Sequence, residues 1–323
     1  MTTDHNEEID FSKAVRKNKL RVARWLATIS GVSRQLAKRV DKRLVIVRYD
    51  GGICSQILFH SLQRYLEFRG CRVKADLDWY DRNGMDMDGR FVRNFDLLRA
   101  FPEIRVERAS GGECWQYRLF YDNKDETFID REPPRYFGRY YDLWPLVVEY
   151  LGFYREHFRP AGFADDSENF RLFDEIVSLG GNSCAMHVRR GDLAKDRGVW
   201  AVYGQPPSVE YFAAAVKTVA ARVGKRVKVF LFSDEPEWVK AELLPKLPGT
   251  AEYHVADGND SGKGFCDLYL ISKCCHFILS NGSLGSMGML LASRDDGTVV
   301  LPESRRARLA TWPEAIRQRA VVL

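Results

Sequence analysis

The apolar positions of this chain fall into short blocks whose period switches between that of a strand and that of a helix. Leu44-Val-Ile-Val-Arg-Tyr49 is rich in β-branched residues and suits a buried strand. Asp50-Gly51-Gly52 follows as a turn, and Ile53 to Arg69 places apolar residues at helical spacing up to Gly70, a suitable C-cap. Cys71 to Leu77 reads as a second strand that ends at the polar Asp78-Trp-Tyr-Asp81. Residues 82–140 show no dominant period. Their aromatics, among them Phe91, Phe95, Trp115, Tyr117, Phe120 and Tyr121, are expected to pack rather than to form a sugar platform. Tyr136 to Phe158 predicts a helix that Pro160 stops, and Phe170 to Leu179 predicts another.

From Gly181 onward strands and helices alternate. Strands are expected up to His187, over Val227–Phe232, Glu252–Val255 and His276–Leu279, and over Val299–Leu301. Helices are expected between them over Ser208–Val223, Glu237–Leu243, Phe265–Cys274 and Ser283–Ala292. Strands separated by helices predict a parallel, doubly wound sheet. With the likest linker over Gly162–Glu168, the chain divides into an arm (1–43), a first α/β domain (44–165) and a second (166–323).

Composition narrows the class. A chain of 323 residues, 45% hydrophobic and 29% charged, can fill two ordinary cores and is not disordered throughout. The net charge of +5 is uneven, because residues 11–43 hold eleven Lys or Arg against the single acid Asp41. Val22, Trp25, Leu26 and Ile29 give that stretch a helical apolar face, so it either meets an anionic membrane surface or packs on the body with its basic face in water. Nucleic acid is not expected as a partner. Seven cysteines without a CxxC pair fit a reducing compartment and give no zinc signature. No apolar run is long enough to span a bilayer, so a cytoplasmic protein, peripheral at the membrane at most, is expected.

The chemistry collects where predicted strands end. The strand ending at His187 delivers Arg189, Arg190 and Asp192, the next delivers Ser233, Asp234 and Glu235, and a third delivers Ser280, Asn281 and Ser283. In a parallel sheet all three loops emerge on one edge, the edge where open α/β sheets bind ligands. Two adjacent arginines offer planar forks to a diphosphate, with pairing to Asp192 or a surface carboxylate as the plainer alternative. Ser283 opens a helix whose N–H groups can hold an anion, or it simply caps that helix. Asp267 offers acceptors to a purine edge, or serves as a first-turn carboxylate. Gly51 and Gly52 allow close approach of a ligand or only a tight turn, and they form neither a dinucleotide fingerprint nor a P-loop.

His187-Val-Arg-Arg-Gly-Asp192 resembles the HxRRxD motif of the α1,2-fucosyltransferases, which is shared more loosely with α1,6- and protein O-fucosyltransferases. Gly51-Gly52-Ile-Cys-Ser-Gln56 is similar to that family's GGLGNQ opening, and Phe232-Ser-Asp-Glu-Pro-Glu-Trp238 to its FSDDxxW segment. Asp267-Leu-Tyr-Leu-Ile-Ser272, through Asn281-Gly-Ser283 to Gly288, follows its DLxLMS…NSTFSWWGAWL block. The resemblance implies an α/β, GT-B-like fold of two Rossmann-like domains with mainly parallel doubly wound sheets. It implies inverting, metal-independent transfer of L-fucose from GDP-fucose, bound by the second domain, to a glycan or glycolipid hydroxyl in surface polysaccharide synthesis.

Carried over by position, Arg189 and Arg190 bind the diphosphate and stabilise leaving GDP. His187 and Asp267 contact the guanosine, while Asn281 and Ser283 line the phosphate side. Ser233, Asp234, Gly51 and Gly52 complete the donor set. Asp192 is the first candidate for general base, with orientation of Arg189 or Arg190 as its alternative. No cofactor or metal is expected; Asp86-Met-Asp88 is the one DxD-like spacing, outside the donor half. Ser55 departs from the family's Asn, and Gly282, Leu284, Gly285, Ser286 and Met287 depart from its Ser-x-Phe-Ser-Trp-Trp. The lost tryptophans leave two further readings open: another nucleotide-sugar donor, or a nucleotide- or glycan-binding homologue without catalysis.

Overall fold

The computed structural model describes residues 41–323 except 87, 88, 90, 123–132, 196, 201–203, 225 and 261 and the side chains of Asp192 and Val199. Nearly all of the basic arm, and Asp88 of the DxD-like pair, therefore lie outside the described residues. The described chain clusters into two units that interleave along the sequence. One gathers the described residues up to Tyr49 with Leu62–Trp79 and Val106–Tyr141; the other gathers Asp50–Ser61, Tyr80–Arg105 and Asp142–Leu323.

In the first unit, the β-branched run forms strand β1 (Leu44–Arg48); helix α1 (Ile53–Phe68), which belongs to this unit from Leu62 on, and strand β2 (Arg72–Asp76) follow, as the pattern predicts. A capping box in which Ser110 and Glu113 satisfy each other's orphan groups starts α2 (Gly111–Phe120). Strand β3 (Arg135–Phe137) completes a parallel sheet of order β2-β1-β3. The buried carboxylate of Asp76, at the end of β2, receives the Tyr136 hydroxyl at 2.6 Å and pairs with the Arg118 guanidinium. These partners hold its pKa below the usual carboxylate value despite burial, which pushes the other way.

The helix expected over Tyr136–Phe158 is not one element. Tyr136 and Phe137 belong to β3, and two short helices follow, Trp144–Glu149 and Leu151–His157. Pairing with β1 draws the aromatic pair into the sheet, and Pro145 in the first turn sets the start of the next helix. Of the aromatics expected to pack, Tyr117 is buried, while Trp115 and Phe91 stand exposed.

The second unit begins at the glycine turn. Gly51 has φ of +74°, a region in which only glycine is unstrained. The turn is held by Gln56, a fully buried side chain with every hydrogen-bonding site on its amide used. Its Nε2 donates to the carbonyls of Gly51 (3.2 Å) and Asn94 (2.8 Å), and its Oε1 accepts from the backbone N–H of Asp96 and Leu97 at 2.8 Å each.

Helix α3 (Ser167–Leu179) then leads into β4 (Ser183–Val188), α4 (Val209–Val223), β5 (Val227–Ser233) and β6 (Ala251–Ala256). The chain continues through α5 (Gly264–Ile271), β7 (His276–Ile278), α6 (Ser283–Leu291), β8 (Val299–Leu301) and an unforeseen last strand, β9 (Ala320–Val322). All six strands are parallel, in the order β6-β5-β4-β7-β8-β9. Every residue of β4 is buried, as a central strand covered on both faces requires. Cys184, Met186 and Val188 point into a core with Phe212 and Val216 of α4 and Val229 and Leu231 of β5. By strand alternation His187 faces the other way, towards α6.

Candidate functional site

The strand order contains one reversal. From β4 the chain moves outward to β5 and β6, then returns to place β7 on the other side of β4. The loops leaving β4 and β7 therefore diverge and open a crevice at the C-terminal edge, where doubly wound sheets hold their ligands. His187, Arg189 and Arg190 leave from one side of it, and Ser280 to Ser283 from the other. The register Val188↔Ser233 brings Asp234 and Glu235 alongside the arginines.

Among the described residues each arginine pairs with a carboxylate. Arg189 Nη1 lies 2.5 Å from Asp234 Oδ2, and Arg190 Nε lies 3.2 Å from Glu235 Oε2. Asp234 Oδ1 also accepts the Arg190 backbone N–H at 2.9 Å, so one carboxylate braces the whole dipeptide. Burial raises the Asp234 pKa, with the Arg189 charge opposing it. The Arg190 guanidinium stacks on Trp238, 3.6 Å from the ring centroid, and this fixes the plane of its fork. A guanidinium has five N–H donors, so a carboxylate bond leaves donors for an incoming phosphate. The plainer alternative, pairing of the arginines with nearby carboxylates, is thus present, and it orients both forks at the crevice.

Opposite them, α6 begins at Ser283 with Gly282 in the N-cap position and no side-chain cap. Ser283 is thus not the cap; burial pushes the pKa of the Cys54 thiol up to about 12, with Ser283 opposing it. The uncapped first turn presents N–H groups and a positive helix end. His187 is 5% exposed and wedged against this turn. Burial lowers its pKa to about 3, aided by the charges of Arg189 and Arg305, so the imidazole is neutral.

Asp267 stands on α5, its Oδ1 accepting from Asn259 Nδ2 at 2.7 Å, and Asn259 is hydrogen-bonded in turn to Asn169 at 2.8 Å. The carboxylate keeps some contact with water by area, yet the protein crowding it raises its pKa to about 7. Ser233 and Asn281 are occupied as braces. Ser233 Oγ donates to Val188 O (2.8 Å) and accepts Glu235 N–H (3.0 Å). Asn281, 1% exposed, donates to Gln205 O at 2.5 Å and accepts from Ser304 Oγ at 2.9 Å. Gly51 uses its carbonyl on Gln56 and on the Tyr80 hydroxyl, while a side chain at Gly52 would approach Arg93. Asp192 follows Arg190 on a short helix, Gly191–Lys195, and its carboxylate lies outside the described residues.

Residue patterns did not single out Asn259, and they gave no role to Trp238, Gln56 or Ser280. Trp238 and Gln56 had a signal in the family-like segments that contain them, and Ser280 in its place at a strand end. Ser280 acts on residues more than ninety positions away and Asn259 is held by Asn169, ninety positions away, and such bonds leave no periodicity. Among the described residues, one acidic cluster approaches metal-ligand spacing, Asp76, Asp78 and Cys114, but the Arg118 guanidinium already pairs with both carboxylates.

Residues 168–319 match Glycosyl transferase family 11. The chain is 26% identical over 283 residues to an alpha-1,2-colitosyltransferase of Escherichia coli, covering 80% of this chain and 91% of that protein. It is 23% identical over 134 residues to the O-antigen biosynthesis glycosyltransferase WbnK of Escherichia coli, and this match spans 42% of each chain. Among solved structures, an Arabidopsis thaliana FUT1 variant in complex with GDP aligns with a TM-score of 0.42 at 13% identity, over 88% of this chain and 78% of that one. No helix among the described residues is long and apolar enough to cross a membrane.

Proposed function

We propose that this chain, whose residues 168–319 match glycosyl transferase family 11, transfers L-fucose from GDP-fucose to a glycan hydroxyl with inversion at the anomeric carbon. The observation that carries this reading is the crevice at the strand reversal, where Arg189 and Arg190 face an uncapped helix N-terminus. In the reaction the acceptor oxygen bonds to the anomeric carbon as the bond to the β-phosphate oxygen breaks. Negative charge then grows on GDP, where two guanidinium groups and the first turn of α6 receive it without reorganising. The acceptor proton passes to a carboxylate, for which Asp192 is the candidate. Asp267 receives the guanine edge and His187 acts as a neutral donor to the nucleoside.

The alpha-1,2-colitosyltransferase of Escherichia coli, matched over 91% of its length, favours a second reading in which the transferred sugar is colitose. Both readings put an α1,2 linkage on a surface polysaccharide. Both also place the whole reaction on protein groups, with no metal required.

Calorimetric titration with GDP, GDP-fucose, GDP-colitose and UDP-glucose, in the presence of a chelator, tests this. GDP and one of the two GDP-sugars should bind, and Arg189→Ala should lower turnover by about 100-fold or more while leaving the melting temperature near that of the parent. Binding of UDP-glucose alone would remove the GDP-sugar assignment. Near-normal turnover in folded Arg189→Ala would remove the role given to the arginine.

A further inference from the structure

Ser280 follows β7 by two residues and is almost fully buried. It stands at the strand reversal, and its single oxygen reaches both lips of the crevice. Oγ accepts the backbone N–H of Arg189 at 3.0 Å and lies 3.1 Å from His187 Nδ1. A hydroxyl has one proton to give. The Arg189 N–H can only donate, so that contact takes one lone pair; among the described residues Nδ1 is the one acceptor offered to the buried hydroxyl proton, which would otherwise go unpaired. Nδ1 is then the acceptor, and the proton of the neutral imidazole sits on Nε2.

The ring has no room to escape this arrangement. A Cβ on Gly282 would stand 2.5 Å from His187 Cε1 and 3.1 Å from Arg189 Cβ. A Cβ on Gly285 would stand 2.7 Å from His187 Cβ and 3.1 Å from Nδ1. Two glycines, one helical turn apart on α6, thus form the slot that seats the imidazole. These positions fall in the stretch where the sequence departs from the bulkier family pattern.

We propose that Ser280 is a positioning residue: its hydroxyl ties the β7 end to the β4 end, sets His187 as the Nε2–H tautomer, and fixes the backbone from which Arg189 enters the donor site. His187 then presents a neutral N–H donor, suited to an oxygen of the nucleotide, at a site already rich in positive charge. The consequence for ligand affinity rests on the reading of this site as a GDP-sugar site; the tautomer does not.

Nitrogen-15 NMR of the full chain labelled at its six histidines, with the His187 signal assigned by its loss in His187→Gln, reads the tautomer directly. The free protein should show a protonated Nε2 and a bare Nδ1 at His187. Ser280→Ala should lose that bias and weaken GDP about tenfold, and Ser280→Thr, which restores the hydroxyl, should recover both. A proton on Nδ1 in the parent protein, or an unchanged tautomer in Ser280→Ala, would overturn the proposal. The measurement on the parent decides the matter even where Ser280→Ala fails to fold. If the parent binds no GDP, the donor-site reading fails while the tautomer result still stands on its own.

Discussion

Burial acts on His187 and Asp267 in the same direction, towards the neutral form, but leaves them on different sides of neutrality. His187, brought to about 3, carries no charge at any physiological pH. Asp267, brought to about 7, is poised to ionise near neutrality, so the pH response of this site belongs to the carboxylate. The sign follows from linkage. An unfolded Asp releases its proton near about pH 3.9, whereas the folded one keeps it to about 7, so between those values the native state binds the extra proton. Stability contributed by this group is therefore present at low pH and lost as pH rises through 7. Relative to Asp267→Asn, which retains an acceptor for Asn259, the parent should gain about 2 kcal/mol between pH 7 and pH 4, with partial water contact reducing the full linkage value. Urea unfolding of both proteins at several pH values reads this, and parallel curves would refute it. If the ionised carboxylate receives guanine, GDP affinity should rise across the same upper range. At this scale the sequence motif revealed Asp267 and His187 but not what sets their charge, because Asn259, which bonds Asp267, is itself held by Asn169, and Arg305 acts on His187 from a segment that no local pattern connects.

Helix α6 shows what an element owes to residues it lacks. Gly282 and Gly285 seat His187, and Gly288, another turn along, lets α6 lie against α5. A Cβ at Gly288 would come within 2.3 Å of Ile271 Cγ2 and 2.8 Å of Ile271 Cβ, closer than packed atoms tolerate. Gly288→Ala should therefore destabilise the protein by about 1–3 kcal/mol through overpacking, although alanine is the better helix former. Combining it with Ile271→Ala should cost less than the sum of the two single changes, since the second removes Cγ2, the nearest atom the first meets. Thermal melts of the three variants test this, and strict additivity would show that the two sites do not meet. In the sequence Gly282 and Gly285 stood out as departures from the bulkier family pattern, and what they admit shows only in the fold. By contrast β3 and β9, at three residues each, were too short to show a period, and neighbouring strands rather than local preference define them.

At the scale of the whole chain, the alternation of strands and helices after Gly181 made the larger parallel sheet readable and the family resemblance implied the smaller one, but neither told how the chain is shared between them. The turn expected as a linker exists: Gly162 adopts φ of +69° and a short 3-10 helix follows at Phe163–Asp165. It lies inside the second unit because packing continues across it. Phe158 and Phe163 set their rings against Tyr269 at 5.1 and 4.8 Å, Arg155 Nε donates to Leu290 O at 3.0 Å, and Arg99 Nη1 donates to Gly262 O at 3.0 Å. The turn anchored by Gln56 belongs to the same unit, as does Cys54 beside it. A fragment of residues 166–323 carries the matched family segment and all six strands of the larger sheet, yet lacks these partners. It should leave apolar faces of α5 and α6 in water and unfold at lower urea, with a broader transition than the full chain, because surface buried within the intact unit is already exposed before unfolding begins. Circular dichroism against urea for both chains tests this. A fragment transition as sharp and as late as that of the full chain would mean that the segments before residue 166 add nothing to the stability of residues 166–323, and that the cut suggested by the sequence is a true domain boundary.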